Sequence, residues 1–189
     1  METMTGNTPQ AIQDETLLIS RILDGQTALF RQLASRYAGQ VLRMVARLIP
    51  SHEEAEEVTQ DVLLEAFQSL ARYDARQASF QTWLMRIAYN VFYDHCRKKN
   101  VECGMLNDDC SAMSATSDSH SSFKIDLYAA LALLKPDERT CITLQLIDGY
   151  DIQKITEITG IKEGTVKSHL SRGKDKMATY LKNNGYDRR

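Results

Sequence analysis

Residues 149–181 have the sequence GYDIQKITEITGIKEGTVKSHLSRGKDKMATYL, which predicts two helices joined by a tight turn. Ile152, Ile155 and Ile158 recur every third residue, so they share one face of a helix of about two turns. Gly160 then interrupts the pattern. In the second helix the residues that fall on one side at helical spacing are again apolar or small: Val166, Leu170, Gly173, Met177 and Leu181.

The opposite side of this second helix is polar. Small hydroxyl side chains can reach base edges, and cations beside them can meet phosphates. The side chains in these positions are Ser168 and Ser171 at the centre, Lys167 and Lys174 on one edge, and Thr165, Arg172 and Lys176 on the other. The pattern predicts a helix-turn-helix that binds DNA, although an ordinary amphipathic helix pair with a solvated charged face has the same spacing.

Charge is segregated along a chain whose formal net charge is only −2. Acidic residues concentrate in residues 53–65 and again in residues 108–118, whereas basic residues concentrate in residues 97–99 and in the closing helix. A segregated pattern of this kind predicts one basic and one acidic partner.

The cellular compartment follows from what the sequence lacks. No apolar run approaches the ~20 residues of a membrane helix, and the first ten residues, METMTGNTPQ, do not resemble a signal peptide. We therefore predict a cytoplasmic protein with reduced thiols. Its cysteines are Cys96, Cys103, Cys110 and Cys141.

Helical periodicity runs through the first hundred residues and strand-like alternation is nearly absent. After an unstructured start over residues 1–10, the predicted helices span approximately 12–23, 27–49, 51–70 and 79–99. Pro50 ends the second helix, and Ser51 with Glu54 forms a capping box that begins the third.

The third helix has an acidic edge. Val58, Val62, Phe67 and Leu70 are its predicted buried side, and Glu57, Asp61 and Glu65 line up at a spacing of four. Like charges at that spacing repel by a few tenths of a kcal/mol. The repeated repulsion favours a docking edge for a basic partner, while a solvated acidic face is the alternative.

The fourth helix combines aromatic rings with cations. Its core stripe is Phe80, Leu84, Ile87 and Val91, and its other side presents Arg86, Tyr89, Asn90, Tyr93 and Arg97, with Trp83 at the border. Rings for base stacking beside cations for phosphates are typical of single-stranded nucleic-acid binding. Packing of these rings on a neighbouring helix is the alternative.

Residues 101–122 are rich in Ser, Ala, Thr and Asp and lack apolar periodicity, so we predict a flexible linker. The predicted fold is all-α, with two small helical domains, residues 11–100 and 123–184, the second containing the helix-turn-helix. Fully extended, the linker would reach at most ~70 Å. That exceeds one turn of B-DNA, roughly 34 Å, so the two domains can engage separate sites on one duplex.

Nothing in the sequence predicts an enzyme. The four histidines are scattered, and no nucleophile–base pairing or phosphate-binding glycine loop occurs, so we predict no catalytic residues, no cofactor and no small-molecule substrate. A metal site is also not predicted, because the candidate ligands lack the short Cys-x₂₋₄-Cys spacing of zinc sites. Those candidates are His95, Cys96, Cys103, Cys110 and His120.

Three stretches together resemble one family. They are EEAEEVTQDVLLEAF (53–67), SFQTWLMRIAYN with a following D-x-x-R (79–97), and GIKEGTVKSHLSR (160–172). In this order, on either side of a polar linker, they resemble the extracytoplasmic-function sigma factors, two-domain promoter-recognition subunits of bacterial RNA polymerase. The third stretch alone also resembles LuxR-type regulators, which are one alternative. An anti-sigma or adaptor bundle is another alternative, and it would make no contact with promoter DNA.

The resemblance implies a sigma factor that binds core RNA polymerase and directs promoter-specific transcription initiation. Its first domain (region 2) would bind polymerase through Glu57, Gln60, Asp61 and Glu65. The same domain would melt the downstream element and capture a single-stranded base with Tyr73, Asp74, Arg76, Ser79, Phe80, Trp83, Arg86 and Asn90. Its second domain (region 4) would read the double-stranded upstream element with Thr165, Lys167, Ser168, Ser171 and Arg172.

The resemblance further implies an anti-sigma partner, commonly membrane-anchored, and an acidic linker that enters the polymerase RNA channel. Thr156, Thr159 and Lys162 depart from the family pattern, which has alanine, leucine and proline there more often.

Overall fold

The computed structural model describes residues 9–49, 51–102 and 122–186, and the regular structure in these ranges is entirely helical. Its α-helices are α1 (Pro9–Leu23), α2 (Phe30–Leu48), α3 (His52–Ser69), α4 (Phe80–Glu102), α5 (Ser122–Ala132), α6 (Pro136–Ile142), α7 (Ile152–Thr159) and α8 (Glu163–Asn183). Short 3₁₀ turns at Thr27–Leu29 and Leu70–Arg72 and a π-helical segment at Thr143–Ile147 complete it. The all-α prediction is confirmed, and no helix in the described ranges is both long and apolar enough to span a membrane.

Some helix bounds differ from the prediction. Helix α1 begins at Pro9, inside the stretch expected to be unstructured, and α4 continues to Glu102, three residues beyond the predicted end at Lys99. Pro50, expected to end the second helix, lies outside the described residues, as does most of the predicted linker, residues 103–121.

Helix α3 begins as predicted, but only half of its capping box forms. Ser51 is extended and its hydroxyl oxygen accepts a hydrogen bond from the Glu54 backbone N–H at 3.3 Å. The Glu54 carboxylate accepts instead from Lys99 Nζ at 2.5 Å, with His95 Nε2 at 3.8 Å. The capping box was predicted from neighbouring residues of the chain, whereas the side chain that pairs with Glu54 lies on a different helix, α4.

The N-terminal unit, α1–α4, packs around the apolar faces of α2, α3 and α4. The buried side chains include Leu33, Val41, Val45, Leu48, Val58, Val62, Leu70, Phe80, Leu84 and Phe92. Phe67 is an exception to the prediction, because 37% of it is exposed and its ring lies against Phe30 at a centroid distance of 5.0 Å.

The C-terminal unit, α5–α8, contains the predicted helix-turn-helix. Asp151 caps α7 by accepting from the Lys154 backbone N–H at 2.7 Å. Gly160 ends it in the left-handed region (φ 72°), where the missing side chain removes the steric penalty. Ile155 and Ile158 are buried, as are four of the five residues predicted for the inner face of α8: Val166, Leu170, Gly173 and Met177. The fifth, Leu181, is partly buried and packs against the core.

The two units contact each other through Arg139 of α6, which is almost fully buried. Its guanidinium donates to the Leu131, Ala132 and Leu134 carbonyls within its own unit. It also donates to the Leu48 carbonyl at the end of α2, at 2.9 Å. A buried cation of this kind is tolerated because most of its donors have acceptors.

Gly173 generates a stability prediction, since α8 and α6 approach closely there. A Cβ at this position would lie 2.8 Å from Ile142 Cγ1, whereas a Cβ at Gly164 would meet nothing within 4 Å. Overpacking costs about 1–3 kcal/mol, against a helix-propensity gain of about 1 kcal/mol. We expect Gly173→Ala to lower the thermal unfolding midpoint and Gly164→Ala to leave it unchanged or raise it. Equal effects of the two substitutions would show that the α6–α8 contact does not require glycine.

Candidate nucleic-acid and polymerase interfaces

The acidic edge of α3 is open to solvent. Glu57, Gln60, Asp61 and Glu65 are all exposed, as predicted, and the opposite face of the helix is buried. Beside them, 55% of Leu64 is exposed. Sequence reasoning missed Leu64, although a large apolar residue outside the core stripe was a visible signal. An acidic edge with an apolar neighbour suits a basic partner that also buries apolar surface.

The loop before α4 is held by local hydrogen bonds. Asp74 Oδ1 accepts from the backbone N–H of Arg76 at 3.0 Å and from its Nε at 3.1 Å. These side-chain and backbone bonds from Arg76 lower the pKa of Asp74 to about 2. The Tyr73 hydroxyl donates to the Ala78 carbonyl at 3.2 Å, and Ser79 caps α4 through the Thr82 backbone N–H. The loop therefore presents Arg76, which is fully exposed, from a defined turn.

Three aromatic rings meet at the start of α4. Tyr73 and Trp83 lie 5.3 Å apart between centroids, and Phe80 lies 5.5 Å and 5.4 Å from them respectively. Phe80 is only 1% exposed. Its predicted place in the core stripe of α4 is therefore confirmed. The base-capture position that the family resemblance implied for Phe80 is wrong, because its ring lies in the core below the other two. Tyr73 and Trp83 remain half-buried at the surface.

Further along α4, the C-terminal unit covers part of the predicted surface. Arg86 Nε donates to the Glu157 carbonyl of α7, while Asn90 stays exposed. Tyr89, predicted to lie among the exposed rings, is buried, and its hydroxyl donates to Asp137 Oδ1 of α6 at 2.9 Å. Burial and the Asp137 bond raise the Tyr89 pKa well above its ordinary value. For Tyr89 the alternative, packing on a neighbouring helix, is correct.

The outer face of α8 matches the prediction in exposure. Its five predicted DNA-contacting residues are all exposed: Thr165, Lys167, Ser168, Ser171 and Arg172. Lys167 pairs with Glu163 at 2.6 Å, and the Ser168 hydroxyl donates to the Gly164 carbonyl at 2.9 Å. These exposed side chains can exchange their present partners for DNA at little cost.

Comparison with known proteins identifies the family. A family model described as Sigma-70 region 2 matches residues 33–101, and one described as Sigma-70, region 4 matches residues 124–177. The RNA polymerase sigma factor CarQ of Myxococcus xanthus is 30% identical over 166 residues, which cover 86% of this chain and 95% of CarQ. The chain belongs to the extracytoplasmic-function sigma factors. It is therefore a promoter-directing sigma subunit, whose partners are core RNA polymerase and promoter DNA.

Other relatives agree with this assignment. The ECF RNA polymerase sigma factor SigE of Mycolicibacterium smegmatis is 31% identical over 157 residues, which span 79% of this chain and 60% of SigE. Among solved structures, the sigma factor RpoE of Bartonella quintana, in complex with the anti-sigma factor NepR, has a TM-score of 0.66 at 26% identity. That match covers 84% of this chain and 98% of RpoE.

A buried carboxylate, Glu138, supports the α8 surface of this sigma factor. Its side chain is 3% exposed, and it pairs with Lys176 Nζ at 2.8 Å and with Arg172 Nε at 3.4 Å. Burial alone would raise the Glu138 pKa, but the Lys176 bond and charge, the Lys135 backbone bond and the Arg172 charge together lower it. Sequence reasoning missed Glu138, because its partners Arg172 and Lys176 lie on α8, far along the chain.

The departures from the family pattern in α7 are accommodated locally. Thr156 Oγ1 donates to the Ile152 carbonyl at 3.0 Å, and Thr159 Oγ1 donates to the Ile155 carbonyl at 2.8 Å. Each hydroxyl is thus satisfied within its own helix, and the sigma factor's helix-turn-helix keeps its core.

The described residues of the sigma factor contain no cluster of three or more metal-ligating side chains. Three of the candidate metal ligands considered from the sequence, Cys103, Cys110 and His120, lie outside the described residues. Cys96 and Cys141 are buried and form no disulfide within the described ranges.

The lowered pKa of Glu138 predicts an acid-dependent loss of stability. A carboxylate whose pKa is depressed on folding stabilises the fold above its unfolded pKa, and that contribution is lost as the pH falls through the folded pKa. We expect Glu138→Gln to unfold more easily than wild type near neutral pH, with the difference shrinking below about pH 5. Thermal unfolding of both proteins, followed by circular dichroism from neutral pH to below about pH 5, measures this difference in stability. A difference that is independent of pH would contradict an ionised Glu138.

Proposed function

We propose that residues 11–100 form region 2, which binds core polymerase and melts the downstream promoter element, and that residues 123–184 form region 4, which reads the upstream element. Residues 101–122 would be the flexible linker between them. The observation that carries the proposal is the pair of exposed surfaces, acidic on α3 and basic on α8, on opposite units of one chain. In this role the protein is a binding subunit and not an enzyme.

The proposed polymerase contact is the acidic edge of α3. Glu57, Gln60, Asp61 and Glu65 would face basic polymerase residues, and Leu64 would add apolar contact beside them. The acids of this edge could pair with a basic partner without breaking an ion pair of their own. Within the described residues, the ion pairs of α3 involve other acids of the helix, Glu54 and Glu56.

Asp61→Lys tests this contact. Reversing a charge at an interface brings like charges together, so we expect binding to core polymerase to weaken by about tenfold or more. Stability should change little, because Asp61 is exposed. The matched control is Glu56→Lys, the same change on the same helix outside the edge, which should bind core polymerase like wild type. Equal losses in both variants would indicate a general charge effect, and no loss at Asp61 would remove the edge from the interface.

For the downstream element, the proposed contacts are the surface rings and polar side chains at the start of α4. Tyr73 and Trp83 would stack on extruded bases, and Arg76 would meet the backbone. Asp74 would orient Arg76 by accepting three hydrogen bonds from it, and Ser79 would hold the α4 N-terminus. Phe80 would support the two rings from below.

Region 4 restricts access to Arg86 and Asn90 on this proposed surface, although Asn90 itself remains exposed. The Glu157 carbonyl of α7 accepts a hydrogen bond from Arg86, and α7 lines a cleft together with Asn90. Lys154 of α7 also donates to Thr82 Oγ1 at 2.6 Å. These contacts place α7 where a captured strand would run along α4. The two regions would therefore have to separate for full engagement of the promoter, as a long linker allows.

Tyr89→Phe tests this separation, because it deletes the hydroxyl that bonds Asp137 and keeps the ring. A hydrogen bond to a charged group contributes about 1.5–3 kcal/mol, so its loss favours the open arrangement. We expect the free chain to bind a single-stranded DNA library about five- to tenfold more tightly. Tyr128→Phe, at an exposed tyrosine of α5, is the control and should bind like wild type. Unchanged binding by Tyr89→Phe would mean that the contact does not restrict access.

The proposal includes a cytoplasmic location and an anti-sigma partner. The anti-sigma partner is supported by the similar RpoE of Bartonella quintana, which was solved in complex with the anti-sigma factor NepR. An anti-sigma factor would compete with core polymerase for the exposed α3 edge. By family resemblance, it would commonly be membrane-anchored.

A further inference from the structure

Glu138 forms an ion pair with only one nitrogen of the Arg172 guanidinium, Nε. Glu138 Oε1 lies 3.4 Å from Arg172 Nε, and Arg172 Nη2 lies 3.1 Å from His169 Nδ1 on the same helix. The Arg172 side chain is nevertheless 57% exposed. Nε of Arg172 thus faces Glu138 and Nη2 faces His169, while the remaining donors of its planar, five-donor group stay available on the exposed α8 surface.

The carboxylate itself is held in place. Glu138 Oε2 accepts from Lys176 Nζ at 2.8 Å and from the Lys135 backbone N–H at 3.4 Å, at the N-terminus of α6. It is buried and belongs to the same helix as Arg139, whose guanidinium is bonded to four carbonyls. Glu138 is therefore a rigid support, in contrast to Glu163, the exposed acid that pairs with Lys167.

We propose that Glu138 is a positioning residue for DNA recognition: it holds the Arg172 guanidinium in the orientation that contacts the upstream promoter duplex. The proposal rests on the proposed role of Arg172 in region 4. A side chain already ordered in the free protein loses less conformational entropy on binding. A side chain that binds a ligand is placed more accurately when supporting contacts fix its rotamer.

Electrostatics alone predicts the opposite effect, which makes the proposal testable. Removing a negative charge beside two cations raises the net positive charge facing DNA, and this strengthens binding to phosphates. Positioning instead requires that loss of the carboxylate weakens binding. The sign of the change therefore separates the two effects.

The experiment measures equilibrium binding of the full chain to a DNA duplex that the wild-type protein selects from a randomised library. We expect Glu138→Gln to weaken binding about three- to tenfold and Glu163→Gln, the matched control, to leave it unchanged or strengthen it. In an Arg172→Ala background, Glu138→Gln should have little further effect, because the two residues act together. Glu138→Asp retains the charge but shortens the reach, so it should also weaken binding; it tests the proposal if the Gln variant fails to fold.

Binding by Glu138→Gln that equals or exceeds that of wild type overturns the proposal. So does an equal loss in the Arg172→Ala background, since that indicates a structural effect on α8. If Arg172→Ala alone binds normally, the role of Arg172 and positioning by Glu138 both fall. A loss at Arg172 with none at Glu138 overturns only the positioning.

Discussion

The guanidinium of Arg139 needs hydrogen-bond acceptors because it stays charged when buried. It finds them in carbonyls at the ends of α2 and α5 and in the Leu134 carbonyl of the turn after α5. Leu48 is the last residue of α2, and Leu131 and Ala132 are the last residues of α5. Such carbonyls lack partners within their own helix, and the helix dipole makes them favourable sites for a cation. Arg139 therefore joins the end of α2 to the turn between α5 and α6.

This constraint orients α6, and α6 in turn contacts helices of both units. Three consecutive residues of the helix point to three different elements: Asp137 to Tyr89 of α4, Glu138 to Arg172 and Lys176 of α8, and Arg139 to α2. One short helix thus connects the N-terminal and C-terminal units of the sigma factor. The same contacts leave the α3 edge and the outer face of α8 exposed while α7 covers Arg86.

Sequence reasoning was most accurate where a pattern repeats within one helix. The exposed edge of α3 and the inner face of α8 follow directly from the 3.6-residue period, and the Ser51 cap from residues three apart. It failed where a side chain depends on a distant element. Tyr89 lies on the same side of α4 as the exposed Tyr93, yet Tyr89 is buried by α6. The helical period places these two rings together and cannot separate them, whereas it correctly placed Phe80 in the core stripe.

By itself, the sequence determined the helices, the helix-turn-helix and the family, because hydrophobic periodicity, caps and motifs are local properties of the chain. It also placed the acidic and basic surfaces on separate units. Only the tertiary structure decided which polar groups pair between helices: Glu54 with Lys99, Tyr89 with Asp137, and Glu138 with Arg172. Partners 34 to 48 residues apart are chosen by packing, since a buried polar group must find whichever donor or acceptor the fold brings beside it.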